Sequence, residues 1–151
     1  MSVEANEANK AVVRRYIEGW SNRGDEAVLA EVIAPDWGAH GTQSATATPS
    51  GLPPGLAGVK RLHEEVRAIW PDFRWTIEDL FGEGDRVAAR LTNRATHQGT
   101  YRGIPATGRE VVFPAIWIFR LADGKIAEVW RSADDLGRVV QIGGKIVPGD
   151  A

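Results

Sequence analysis

The stretch RVAARLTNRATH, residues 86–97, decides the fold class. Val87, Ala89, Leu91, Asn93, Ala95 and His97 alternate with Ala88, Arg90, Thr92, Arg94 and Thr96, the period of two of a strand with one face in a core. Just before it, Gly82-Glu83-Gly84-Asp85 is a turn that follows a strand over 74–81. On the other side a connection containing Gly and Pro, 98–108, leads to a long strand over 110–121. Ala122-Asp123-Gly124-Lys125 then turns the chain into a last strand over 126–133, so the C-terminal half reads as an antiparallel sheet.

The N-terminal half has a different period. Val12, Val13, Tyr16, Ile17 and Trp20 recur at helical spacing within 4–22 and make one apolar stripe. Asn22-Arg23-Gly24 stops that helix, and Asp25 caps a second one carrying Val28, Leu29, Val32 and Ile33, which Pro35 ends. Residues 36–57 are dominated by Gly, Ser, Thr, Ala and Pro and read as a long loop, of the kind that often covers a site. A third helix over 58–70 presents Val59, Leu62, Val66 and Ile69, with Pro71 as its stop, and a short helix follows Leu136. Three helices ahead of a sheet make an α+β fold, read as a single domain over 1–151.

Composition narrows the function. With 18 basic and 20 acidic residues the net charge is −2, which gives no broad basic footprint for nucleic acid or an anionic membrane. A content of 43% hydrophobic and 25% charged residues belongs to a globular protein. Zero cysteines remove disulfides and thiolate chemistry. The polar, acidic N-terminus is unlike a signal peptide, and no apolar run reaches the ~20 residues that span a bilayer; the expected location is cytoplasmic. Six of the twelve aromatic residues are tryptophan, rings large enough to fill a core, line a cavity, or do both. No GxGxxG, P-loop or metal-ligand spacing is present, so neither a cofactor nor a metal is expected.

Several blocks carry a resemblance. Asn22-Arg23-Gly24-Asp25 between two helices, Ala34-Pro35-Asp36-Trp37, Gly51-Leu52-Pro53-Pro54-Gly55 and Trp70-Pro71-Asp72-Phe73 come first. Thr96-His97-Gln98-Gly99, Gly103-Ile104-Pro105-Ala106-Thr107-Gly108-Arg109 and Asp123-Gly124-Lys125-Ile126 follow in order. Over about residues 8–143 the chain resembles the SnoaL-like polyketide cyclases (ester cyclases) of the NTF2-like superfamily. The resemblance implies a cone, in which a curved antiparallel sheet is wrapped by three N-terminal helices around a deep pocket. It also implies a cofactor-independent aldol-type acid/base reaction on a hydrophobic carbonyl compound, and a homodimer formed through the sheet. The family's acid/base aspartate falls at Arg131 and its assisting histidine at Trp117, if the register through the last hairpin is ungapped. A guanidinium stays protonated and is no base, although it can bind a carboxylate or an enolate.

The remaining candidates follow from position. His40, at the start of the long loop, is a candidate base, or else a hydrogen-bonded loop residue. His97 ends its strand on the parity of Asn93, itself a candidate substrate contact; His97 either reaches the cavity or ties down the next connection. Asp134 either serves a base or caps the terminal helix. Trp117, Phe119 and Arg131 share the concave face, as a wall for a flat ligand or as an Arg stacked on a core Trp and bonded to a carboxylate such as Asp134. Tyr16 and Trp20 either close the cavity or pack the core. His63, one step off the apolar stripe, is expected to be exposed. Ile116, Ile118 and Trp130 share the outer face, open to a partner or covered by the C-terminal segment. A non-catalytic binding protein and an epoxide-hydrolase-like enzyme, which needs two acids around a water, are the alternative functions.

Overall fold

The structure, a computed structural model, describes residues 2–41 and 51–150. Helix α1 (Val3–Arg15) begins at Ser2, whose hydroxyl accepts from the amide of Ala5. Its last turns widen into a π-helical segment, Tyr16–Ser21, in which Asn22 N–H reaches back five residues to the Ile17 carbonyl. Asp25 caps α2 (Glu26–Val32) by accepting from the amides of Ala27 and Val28, as the sequence implies. Then come β1 (Ile33–Gly41), α3 (Gly55–Ile69), β2 (Arg74–Glu83), β3 (Arg86–Thr96), β4 (Glu110–Ala122), β5 (Lys125–Ala133) and α4 (Asp135–Gln141).

The five strands form one sheet in the order β1-β5-β4-β3-β2. Four are antiparallel neighbours, but β1 pairs parallel to β5, so the sheet is mixed. That strand replaces the first part of the loop expected over 36–57; residues 42–50 of that loop lie outside the described residues. Pro35 does not stop the chain here because it falls in the irregular interval between the pairs Ile33–Ile126 and Gly38–Glu128. On an edge strand a residue with no N–H breaks no ladder.

Alternation along β3 and β4 puts Val87, Ala89, Leu91, Asn93 and Ala95, and Val111, Phe113, Ala115, Trp117, Phe119 and Leu121, inside. The helices cover this face: Val13, Tyr16, Ile17, Trp20, Leu29, Val59 and Leu62 pack with it into the main core. Helix α3 begins close to β1 because Gly55 permits it; a Cβ there would lie 2.5 Å from the Pro35 carbonyl oxygen. A second cluster, Trp70, Phe73, Ala95, Tyr101, Val111, Phe113 and Ile142, closes the other end. No helix among the described residues is long and apolar enough to cross a membrane.

Candidate functional site

The cavity between helices and sheet is lined by Tyr16, Trp20, Ser21, Val59, Leu62, His63, Val66, Phe73, Trp75, Trp117 and Arg131. Its volume is about 70 Å³, against roughly 150 Å³ for an apolar cavity that holds benzene. Three indoles, Trp20, Trp75 and Trp117, project into the space that the cone would otherwise leave open. They narrow the hollow without filling it. A six-membered ring therefore enters fully only if lining side chains move.

Arg131 is the cation of this cavity. Trp117 and Arg131 are direct partners across β4 and β5. The guanidinium carbon lies 4.7 Å from the Trp117 ring centroid, a cation–π geometry. Nη2 donates to the Tyr16 hydroxyl at 3.3 Å, while Nε is buried without a hydrogen-bond partner. Accepting from Arg131 leaves the phenol O–H free to donate. Burial raises the Tyr16 pKa, opposed by the charge and hydrogen bond of Arg131, so the phenol stays neutral and keeps its proton at pH 7. No carboxylate lines the cavity among the described residues. The expected alternative pairing of Arg131 with Asp134 is not what forms.

His63 is the residue that periodicity missed. It lines the cavity rather than facing solvent, tilted against Trp20 at 4.5 Å and edge-on at 5.6 Å to Phe73. The widened helical segment next to it brings Trp20 and the Ser21 carbonyl over α3, which a regular helical wheel does not reveal. His63 Nε2 donates to the Ser21 carbonyl at 3.2 Å, which fixes the tautomer and leaves Nδ1 with the ring's lone pair. Desolvation lowers the His63 pKa, opposed by the Ser21 carbonyl and assisted by the Arg67 charge. The ring is therefore neutral at pH 7.

The other expected site residues fall elsewhere. His40 lies on the outer face, because Trp37 and Ala39 take the inward positions of β1. Its side chain is 48% exposed, its Nε2 donates to Glu128 at 2.7 Å, and its ring stacks on Trp130. Glu128 also accepts from Arg120, and it is Arg120, then His40, that holds its carboxyl below the usual range. Asp134 caps α4 by accepting from the Gly137 amide at 2.8 Å. His97 is fully buried in the second cluster; its Nδ1 accepts from the Thr107 amide and its ring lies 5.2 Å from Trp70. Of the two roles open to it, the tie to the next connection is the one seen. Phe119 backs the cavity through edge contacts with Tyr16 and Trp117. Asn93 is buried on β3 between Trp75 and Phe113 in the ladder, away from the lining. Among the described residues no three His, Asp or Glu side chains converge as metal ligands.

On the outer sheet face, Ile116 and Ile118 are exposed and Trp130 is half-buried beneath Arg86. Helix α4 covers only the start of β4, where the Gln141 amide pairs with both the N–H and C=O of Val112.

The profile of the SnoaL-like polyketide cyclases matches residues 10–142. Among solved structures, the chain is similar to TsrD from Streptomyces laurentii, at 27% identity over 92% of this chain and 97% of that one, with a TM-score of 0.77. It is similar to IdmH, a candidate polyketide cyclase from Streptomyces antibioticus, at 31% identity over 89% and 98%, TM-score 0.75. It is also similar to AclR, a candidate hydroxylase from Streptomyces galilaeus, at 27% identity over 91% and 96%, TM-score 0.73. No curated protein sequence matches the chain. With the cone, the ordered motifs and a profile match over most of its length, the chain belongs to the SnoaL-like polyketide cyclase family.

Proposed function

We propose that this protein is a cofactor-independent enzyme acting on a hydrophobic carbonyl compound, with Arg131 and Tyr16 holding the oxygen that becomes an enolate. The observation that carries the reading is a guanidinium bonded to a neutral phenol inside an aromatic cavity. Two donors aimed at one oxyanion are worth far more there than in water. On the register that the resemblance implies, Arg131 stands where the family has its aldol base, so in this proposal the proton needs another acceptor. His63, neutral and with Nδ1 unprotonated, is the titratable base of the lining. The step balances: a C–H bond α to the carbonyl breaks, its proton goes to His63 Nδ1, and its electrons form the enolate. The enolate carbon then attacks a second carbonyl of the same molecule, whose π bond breaks to an alkoxide that takes the proton back from His63, or the enolate carbon is itself reprotonated by His63. Likeness to IdmH, a candidate polyketide cyclase, supports a carbonyl-rich substrate.

The test is deuterium exchange into the methyl group of acetophenone in D2O, followed by NMR. Wild-type protein should accelerate it, and Arg131→Met should lose about 10²–10³-fold, the usual effect of removing one oxyanion donor. Unchanged exchange in Arg131→Met ends the proposal. A binding protein without catalysis is the second reading, favoured by the narrow hollow and the lack of a lining carboxylate; acetophenone bound with no accelerated exchange would select it. An epoxide-hydrolase-like reaction lacks support, because its two acids are not among the described lining residues.

A further inference from the structure

We infer that the cavity's ligand is a conjugated oxyanion, an enolate, phenolate or carboxylate that supplies the missing counter-charge of Arg131. The inference rests on the cavity being the ligand site, as proposed above, and adds the charge of the guest.

Arginine cannot shed its proton, so a guanidinium set among rings, even one partly exposed as Arg131 is, needs a partner for the part that leaves water. This molecule meets that need in two ways elsewhere. Arg138, 3% exposed and surrounded by the rings of Trp70, Tyr101 and Phe113, carries a carboxylate, Asp135, at 2.7 Å. Arg67, half-buried against Phe73, donates to the carbonyl oxygens of Pro71, Ser21 and Asn22. Arg131 has neither solution. It is stacked on the Trp117 indole and makes one long hydrogen bond to a neutral hydroxyl; among the described residues no carboxylate pairs with it, and its Nε, like that of Arg138, is unpaired. No acid lines the cavity among the described residues, and residues 42–50, TQSATATPS, contain no acidic side chain to bring to it. His63, neutral at pH 7, does not compete for the anion.

The geometry also sets the form of the guest. Its charged oxygen has two donors to meet, the Arg131 guanidinium and the Tyr16 O–H. Its body meets Trp20, Phe73, Trp75 and Trp117, surfaces that suit a planar conjugated frame. A neutral ketone meets the aromatic walls but brings a counter-charge to the guanidinium only once it is deprotonated. A conjugated monoanion satisfies both.

The experiment compares equilibrium binding of 4-nitrophenolate with that of 4-nitroanisole, which keeps the ring and loses the charge, by tryptophan fluorescence and phenolate absorbance. Wild-type protein should bind the phenolate at least tenfold tighter, and bound 4-nitrophenol should ionise at a lower pH than the free molecule. Arg131→Lys, which keeps the charge, should retain the preference, while Arg131→Met should abolish it and still bind 4-nitroanisole. Equal affinities, a preference that survives in Arg131→Met, or no binding of either probe would overturn the inference. If Arg131→Met does not fold, the shift in phenol ionisation on the wild-type protein decides alone. The result is separable from the catalytic reading, since phenolate preference with no acetophenone exchange supports the anion site and removes the enzyme.

Discussion

At Arg131 the chain places a permanent positive charge against Trp117 and, among the described residues, gives it only the Tyr16 oxygen. Tyr16→Phe removes that acceptor and the second oxyanion donor together, and should slow acetophenone exchange by about 10-fold or more while leaving the apolar packing against Phe119 in place. The histidines separate sharply. His63→Gln should lose most of the exchange activity and flatten its pH–rate profile below neutrality, whereas His40→Ala, on the outer face, should leave the rate within twofold; equal losses would remove His63 from the chemistry. Residue-scale reading succeeded where the parity of a strand governs. Trp117 and Arg131 fall opposite each other as alternation requires. It missed His63, because a widened helical segment redirects its side chain, and of the two roles open to His40 the hydrogen-bonded one is seen, on a strand that was not foreseen. Neither leaves a periodic trace in the sequence.

Elements are held by single side chains whose loss can be measured. Asn22 clips the end of the π-helical segment to β2, donating to the Trp75 carbonyl and accepting from its amide at 2.9 and 2.8 Å. Asn22→Ala should cost about 2 kcal/mol, roughly 1 per net hydrogen bond, and loosen Trp75 in the cavity wall. Asp134→Ala, which removes the α4 cap, should cost about 1 kcal/mol and spare the exchange activity; a catalytic loss out of proportion to the change in urea midpoint would restore Asp134 to the site. Four strands were legible because their alternation and turns are local. Strand β1 was not, since Pro35 and the run of small residues signal a loop, and only pairing with β5, more than eighty residues away, makes it extended.

For the whole molecule, pH is the informative variable. His63 and His97 both have folded-state pKa values below the ordinary 6.5, desolvation being the first cause in each case and hydrogen bonding to Ser21 and Gly99 respectively opposing it. A base whose pKa is lowered by folding binds fewer protons folded than unfolded. Its contribution is therefore full above about pH 6.5 and declines as pH falls through that value toward the lowered one. Asp72 adds to the loss at lower pH: desolvation raises its pKa, but the hydroxyl and amide of Thr96 outweigh this and hold it below 3.8. Thermal midpoints should thus fall from pH 7 to pH 5 and again toward pH 3. His97→Gln should shallow the first decline, and an unchanged slope would refute the assignment. The cone as a whole was legible because periodicity and motif order are properties of the chain. The width of its hollow was not, because it depends on how three distant indoles meet.

That meeting gives the protein an optical property. Trp20, Trp75 and Trp117 surround the hollow while Trp37 and Trp70 are sealed in the interior. Half of the intrinsic emitters therefore sit within touching range of any visitor, and arrival or departure should alter the emission spectrum without an attached dye.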